Sequence, residues 1–186
     1  MLLTAHNVNS KREAILNAAS TIVQRDGMGQ LTLDAVAKEA GVSKGGLLYH
    51  FASKDALITG MVDKSNEEYG QNVQLKAEAD PTVQGSWSRA YVGTAFEEVE
   101  QGLDRSSALF AAAFANPKLL DGMREQFKNW QNNIIHDGID PVLATIIRLA
   151  ADGLWFTELF GMAQLDEKLR DQVFEQLISW SGGNKE

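Results

Sequence analysis

Apolar residues recur along this chain at three- and four-residue spacing, and no stretch alternates with the period of two that a half-buried strand requires. The pattern predicts an all-α protein. Ile15, Ala18, Ala19, Ile22 and Val23 form one stripe, and Ser10-Lys11-Arg12-Glu13 ahead of it has the form of a capping box, so the first helix is expected to open at Ser10 and close near Asp26-Gly27. Leu33, Val36, Ala37 and Ala40 form a second, short helix after a Thr32 cap. Gly41, a residue able to take the left-handed conformation, ends it. Val42 fills the corner and Ser43 caps a third helix, with Leu47, Leu48 and Phe51 as its inward face. Ser53 caps a long fourth helix whose apolar positions are Leu57, Ile58, Met61, Val62, Tyr69 and Val73. Its polar middle, Asp63 to Glu68, fits a rod joining two domains, and Asp80-Pro81 breaks it. Beyond the break, helices are expected at about 82–101, 106–115, 118–137, 140–161 and 166–181, punctuated by Asn116-Pro117 and Asp140-Pro141; the tail from Ser181 to Glu186 is expected to be disordered.

The order helix, tight turn, short helix over residues 32–54 is that of a helix-turn-helix, a module that lays its second helix in the major groove of DNA and presents that helix's first residues to the bases. Lys44, Gly45 and Gly46 fill that first turn. Two glycines weaken a helix, and close approach to another backbone is a benefit that would offset the cost. Lys44 is the leading candidate for a base or phosphate contact, and Tyr49 and His50 offer a hydroxyl and an imidazole. Lys54, Thr32 and Ser43 stand at helix starts, where free backbone N–H groups and the helix dipole favour a phosphate.

Composition tempers this picture. The net charge of −8 opposes a nucleic-acid partner, but its distribution is uneven. Residues 1–55 carry six basic and five acidic side chains, while residues 56–186 carry eleven and twenty, so the acid lies in the second part. A near-neutral reading head on an acidic body is expected to bind DNA selectively and salt-sensitively. With 186 residues, 44% of them hydrophobic, the chain can build a sizeable core; with no cysteine, disulfides, thiolate metal sites and cysteine nucleophiles are excluded. No apolar run reaches the roughly 18 residues of a membrane span, so a soluble, cytoplasmic protein without membrane contact is expected.

Enzymatic signatures are missing. His6, His50 and His136 form no metal-binding spacing, no Gly-x-Ser-x-Gly elbow occurs, and Glu97, Glu98 and Glu100 read as a solvated helix face, so no catalytic residue, metal or cofactor is assigned. A helical adaptor that binds protein partners and has lost DNA binding is the alternative to a DNA reader.

The segment Leu48-Tyr49-His50-Phe51-Ala52-Ser53-Lys54-Asp55-Ala56-Leu57 resembles the Tyr-Tyr/His-Phe-x-x-Lys-x-x-Leu signature of the tetracycline repressor (TetR) family of bacterial regulators, a resemblance carried by residues 10 to about 60. It implies an N-terminal three-helix DNA-binding domain, residues 1–54, joined by a long helix to a helical effector-binding and dimerisation domain, residues 55–186. It implies that Tyr49 and His50 face phosphates or base edges. It implies a homodimer on double-stranded operator DNA, repressing transcription until a small-molecule effector enters the C-terminal domain, moves the fourth helix and releases it. An effector pocket, for a largely apolar ligand, is placed among Trp87, Tyr91, Phe110, Phe114, Trp130 and Trp155, with Asp152 or Glu158 receiving any positive group. Ile146, Leu149, Gly153, Phe156 and Phe160, with Leu169, Val173, Leu177 and Trp180, form apolar stripes suited to the dimer interface.

Overall fold

A computed structural model of the chain describes residues 2–100, 110, 113 and 116–182, with side chains from Ser10 onward. Among the described residues, eight α-helices and two 3₁₀ turns have assigned bounds, and no strand occurs. The helices are α1 (Leu2–Asp26), α2 (Leu33–Glu39), α3 (Lys44–His50), α4 (Lys54–Ala79), α5 (Ser86–Glu100), α6 (Asp121–Ile135), α7 (Pro141–Leu159) and α8 (Glu167–Trp180). Of the expected helix at 106–115 only residues 110 and 113 are described, and both are helical; the tail beyond Gly182 lies outside the described residues.

Two compact units divide the chain: residues 1–65 with 105–122, and residues 66–104 with 123–186. The first unit thus includes the opening three turns of α4. Its core joins Ile15, Leu16, Ala19 and Ile22 of α1 to Val36 and Ala37 of α2, Leu47 of α3, Phe51, and Leu57, Met61 and Val62 of α4. Two expectations are corrected. Helix α1 already runs from Leu2, so Ser10 is an interior helical residue and not a cap; nothing in Leu2–Asn9 breaks a helix, and a capping-box spacing is also compatible with one. Leu48 is 39% exposed, because one residue further along α3 turns it about 100° away from the buried Leu47.

In the second unit, α5 packs along α7 and α8 around Tyr91, Val92, Phe96, Trp130, Ile134, Ile147, Leu154 and Leu177. The break after α4 is held by two charged side chains, the buried Asp137 and the half-buried Arg89, that sequence reasoning did not single out. Asp137 accepts the backbone N–H groups of Trp87 (3.0 Å) and Ser88 (2.7 Å), capping α5 from the end of α6. Arg89 pairs with Asp80 at 2.7 Å and donates to the carbonyls of Gln84 and Ser181. Gly85 is required between them: it has φ +79°, and a Cβ there would lie 1.9 Å from the Ser181 carbonyl oxygen.

Candidate nucleic-acid interface

The turn between α2 and α3 is fixed by backbone geometry. Gly41 has φ +65°; its N–H bonds the Lys38 carbonyl at 3.2 Å, and the Val42 N–H bonds the Ala37 carbonyl at 3.0 Å. Those two bonds make a Schellman motif, which satisfies the last carbonyls of α2 and turns the half-buried Val42 onto the core. Ser43 Oγ then accepts the Gly46 N–H at 3.1 Å and starts α3, as Thr32 Oγ1 starts α2 by accepting from Ala35 at 3.1 Å and Ser53 Oγ starts α4 by accepting from Ala56 at 3.1 Å. In each cap the hydroxyl proton is left over, so Thr32 and Ser43 can cap and still donate to a phosphate oxygen.

The short helix α3 is seated from within by Leu47 and from below by Phe51, over whose ring the Arg12 guanidinium lies at 5.4 Å. Gly60 of α4 makes room for Phe51; a Cβ there would stand 2.6 Å from Phe51 Cε1. Outward, α3 presents Lys44, Gly45, Tyr49 and, partly, His50. Tyr49 is 77% exposed and meets the His50 ring edge-on at 5.2 Å, so the core-tyrosine alternative does not describe it. Gly45 has nothing within 4 Å of where a Cβ would stand, whereas a Cβ on Gly46 would touch the capping Ser43 Oγ at 3.2 Å. The second glycine therefore has a local reason and the first has none within the fold.

Lys44 Nζ lies 2.9 Å from Asp34 Oδ1, with both side chains largely exposed. An exposed pair of this kind is worth at most about 1 kcal/mol, so a phosphate can take the lysine over. Lys54 is exposed at the start of α4. All eight sequence-assigned contact residues thus belong to the first unit.

The residues assigned to an effector pocket are less unified. Tyr91 and Trp130 are buried, with rings 5.8 Å apart and Tyr69 between 5.0 and 5.5 Å from each. Tyr91 OH donates to Asp152 at 2.6 Å, and Asp152 is paired with Arg148 at 2.6 Å. Burial pushes the Tyr91 hydroxyl and the Asp152 carboxyl above their ordinary ranges, with the Tyr91 hydrogen bond and Arg148 opposing the Asp152 shift. Asp152 therefore already has its cation. Glu158 accepts from Gln164 at 2.9 Å, and its other oxygen is buried without a hydrogen-bond partner. Trp87 and Trp155 are half-buried, Phe110 is buried in the other compact unit, and Phe114 lies outside the described residues.

Glu98 corrects the reading of Glu97, Glu98 and Glu100 as one solvated face. Glu97 is exposed and bridges to Lys76, but Glu98 is half-buried, accepts the Trp155 indole N–H at 3.0 Å, and is pushed up by burial.

Among residues assigned to a dimer interface, Ile146, Leu149, Phe156, Phe160, Leu169 and Trp180 are each 37–53% exposed, and Gly153 faces open space. Val142 extends the α7 stripe at 68% exposure. Val173 is half-buried, and Leu177, at 3%, is a core residue that supports the face from beneath rather than forming it. Among the described residues, no helix is long and apolar enough to cross a membrane.

Comparison with known proteins bears on both units. Residues 15–61 match the family model described as bacterial regulatory proteins, tetR family, and residues 85–182 match the tetracyclin repressor-like, C-terminal domain. The nucleoid occlusion factor SlmA of Vibrio campbellii is 27% identical over 128 residues, 67% of this chain and 65% of that protein. The HTH-type transcriptional repressor KstR2 of Mycobacterium tuberculosis is 24% identical over 140 residues, 73% of this chain and 70% of that one. The crystal structure of the multidrug binding protein EbrR complexed with ethidium superposes with a TM-score of 0.67 at 26% identity, covering 90% of this chain and 98% of that chain.

Proposed function

We propose that this chain, which belongs to the TetR family of bacterial transcriptional regulators, is a ligand-responsive repressor that holds an operator as a homodimer and is released by a small molecule. The observation that carries the DNA-binding part is the outer face of α3, where an exposed lysine, an unobstructed glycine backbone and a 77%-exposed tyrosine stand on a helix otherwise anchored in a core. Lys44 and Lys54 contact phosphates or base acceptors, Tyr49 and His50 donate to the backbone or base edges, and Thr32 and Ser43 contribute their spare hydroxyl protons. Gly45 allows the helix to approach closely, and Gly46 leaves the cap beneath it intact. One such module reads too few base pairs to find a site in a genome, which favours two copies on successive half-sites.

The second copy meets this one across the apolar stripe of α7, Ile146, Leu149, Gly153, Phe156 and Phe160, continued by Leu169, Val173 and Trp180 on α8. Such a stripe is more apolar width than packing on one neighbour uses. The effector is largely apolar and binds in the second unit beside Tyr91, Trp130 and Trp155. A positive group on it would find Glu158 before Asp152, because Arg148 already satisfies Asp152. The effector must prefer the conformation that cannot bind DNA, since equal affinity for both would shift nothing. The protein works in the cytoplasm, where the operator is.

A mobility-shift titration with the DNA flanking its own gene tests this. Lys44→Ala and Tyr49→Phe should each weaken sequence-selective binding by roughly 1–3 kcal/mol. Intact affinity in both variants would remove the assignment of the reading face, and absence of binding at low salt would favour the adaptor. Ethidium serves as a probe of the effector region: release of the operator by ethidium that is lost in Glu158→Gln supports a cation-accepting Glu158, and unchanged release contradicts it.

A further inference from the structure

A cation in the first unit stands where the pattern of α1 calls for an apolar side chain. Arg12 lies three residues before Ile15, four before Leu16 and seven before Ala19, all of them buried, so it continues the core stripe of α1 by one turn. Its guanidinium does not turn out into water: it is half-buried and lies over the Phe51 ring at 5.4 Å. Phe51 is itself fixed in the core against Gly60 of α4. The face of an aromatic ring attracts a flat cation, and the contact leaves the N–H donors around the guanidinium edge unused.

Those donors have no acceptor within the fold: among the described residues, the Arg12 side chain makes no ion pair and no hydrogen bond. Glu13, its neighbour in sequence, is held by Lys64 at 2.8 Å. Elsewhere in the unit Arg25 pairs with Asp26 (2.9 Å) and Glu39 (3.1 Å), and Lys44 pairs with Asp34. Lys11, Lys38 and Lys54 are also without a carboxylate among the described residues, but all three are exposed, where water serves them. Arg12 differs, because a half-buried cation has given up part of its hydration and only an anion restores it.

Its place selects the anion. Phe51 directly follows the end of α3, and Ser53 and Lys54 open α4, so the Arg12 guanidinium stands against the junction that carries His50 on one side and Lys54 on the other. A guanidinium fork matches two oxygens of one phosphate, and a ring that holds it flat fixes its direction in advance. We propose that Arg12 is a further DNA contact: seated on Phe51, it clamps a phosphate of the operator backbone beside the one that Lys54 meets. This rests on the reading of α3 as the DNA-binding helix and adds to it. A phosphate carries no sequence information, so Arg12 sets where α3 lies along the groove and not which bases it reads.

The test is an anisotropy titration of the full chain, unaltered and as Arg12→Met and Arg12→Lys, on the DNA flanking its own gene and on a scrambled duplex, at several salt concentrations. If Arg12 of each of two subunits neutralises one phosphate, the salt slope of the unaltered protein includes about 2 from this residue, and Arg12→Met should remove it. At low salt Arg12→Met should weaken binding to both duplexes by at least about tenfold, with their ratio held within about threefold. Arg12→Lys keeps the charge and loses the fork, so it should restore the slope and only part of the affinity. Methionine still covers the Phe51 ring, so the urea midpoint should stay close to the original; a purely structural arginine would lower the midpoint and leave the slope alone. Salt-dependent binding by the unaltered protein with a slope that Arg12→Met does not change overturns the proposal and leaves the DNA reading standing. A loss confined to the operator, with the scrambled duplex unaffected, also overturns it. Failure of the unaltered protein to bind either duplex overturns the DNA reading, and the proposal with it.

Discussion

Replacing Gly45 by alanine separates what the fold needs from what DNA needs. Nothing stands within 4 Å of a Cβ at that position, and the residue is exposed on α3, so the methyl costs no packing and breaks no hydrogen bond. Alanine is more favourable than glycine by about 1 kcal/mol in a helix interior; in the first turn about half of that is a reasonable gain. For a chain of this length, about 0.5 kcal/mol raises the melting temperature by about 1–2 °C. If the α3 backbone approaches DNA closely at Gly45, the same methyl occupies the contact and displaces at least one hydrogen bond, weakening operator binding by tenfold or more. Differential scanning calorimetry and anisotropy titration on one preparation read the two quantities. Gly46→Ala is the companion: its Cβ crowds the Ser43 cap at 3.2 Å, so it should lose stability where Gly45→Ala gains it. A Gly45→Ala protein with raised stability and operator affinity within twofold of the original would refute the close approach.

Gly60→Ala should cost about 1–3 kcal/mol, because its Cβ would press on Phe51 Cε1 at 2.6 Å and Leu16 Cδ2 at 3.3 Å in a filled core; an unchanged urea midpoint would mean that the core is looser than these contacts. Glu98 has its folded-state carboxyl raised by burial, so the folded protein binds more protons than the unfolded one between that raised value and the ordinary glutamate value of about 4.3, and its contribution to stability grows as pH falls through that window. Glu98→Gln, whose carbonyl can still accept from Trp155, should be at least as stable as the original at pH 7 and gain less from pH 7 to pH 5; parallel pH profiles would contradict this. Leu149→Glu puts a charge on a residue 53% exposed in the α7 stripe, so it should leave the fold intact, yield monomers in analytical ultracentrifugation and reduce operator affinity at least tenfold. A dimer that survives it would move the interface elsewhere.

The DNA-reading end was legible in the sequence because its signals are local. Gly41 has one conformational use at a helix end, and Thr32, Ser43 and Ser53 each meet a backbone N–H three residues on. Errors arose where a local motif admits two backbones or where one residue of rotation decides. Ser10 has the right neighbours for a cap but no break before it, and Leu48 and Glu98 sit about 100° around their helices from residues of the opposite kind. Contacts between distant segments left no trace to read: the Asp137 cap on α5 spans about fifty residues, and Arg89 reaches the Ser181 carbonyl 92 positions away.

The claim that this protein reads operator DNA through α3 is tested most directly by an anisotropy titration of the DNA flanking its own gene, and of a scrambled duplex, across a range of salt concentrations. Selective binding should appear, with the logarithm of the affinity falling by about 3–4 per decade of salt if Lys44 and Lys54 of two subunits each neutralise a phosphate, and the slope should shrink by about 2 in Lys44→Ala. Equal affinity for both duplexes, or a slope that Lys44→Ala leaves unchanged, would contradict it.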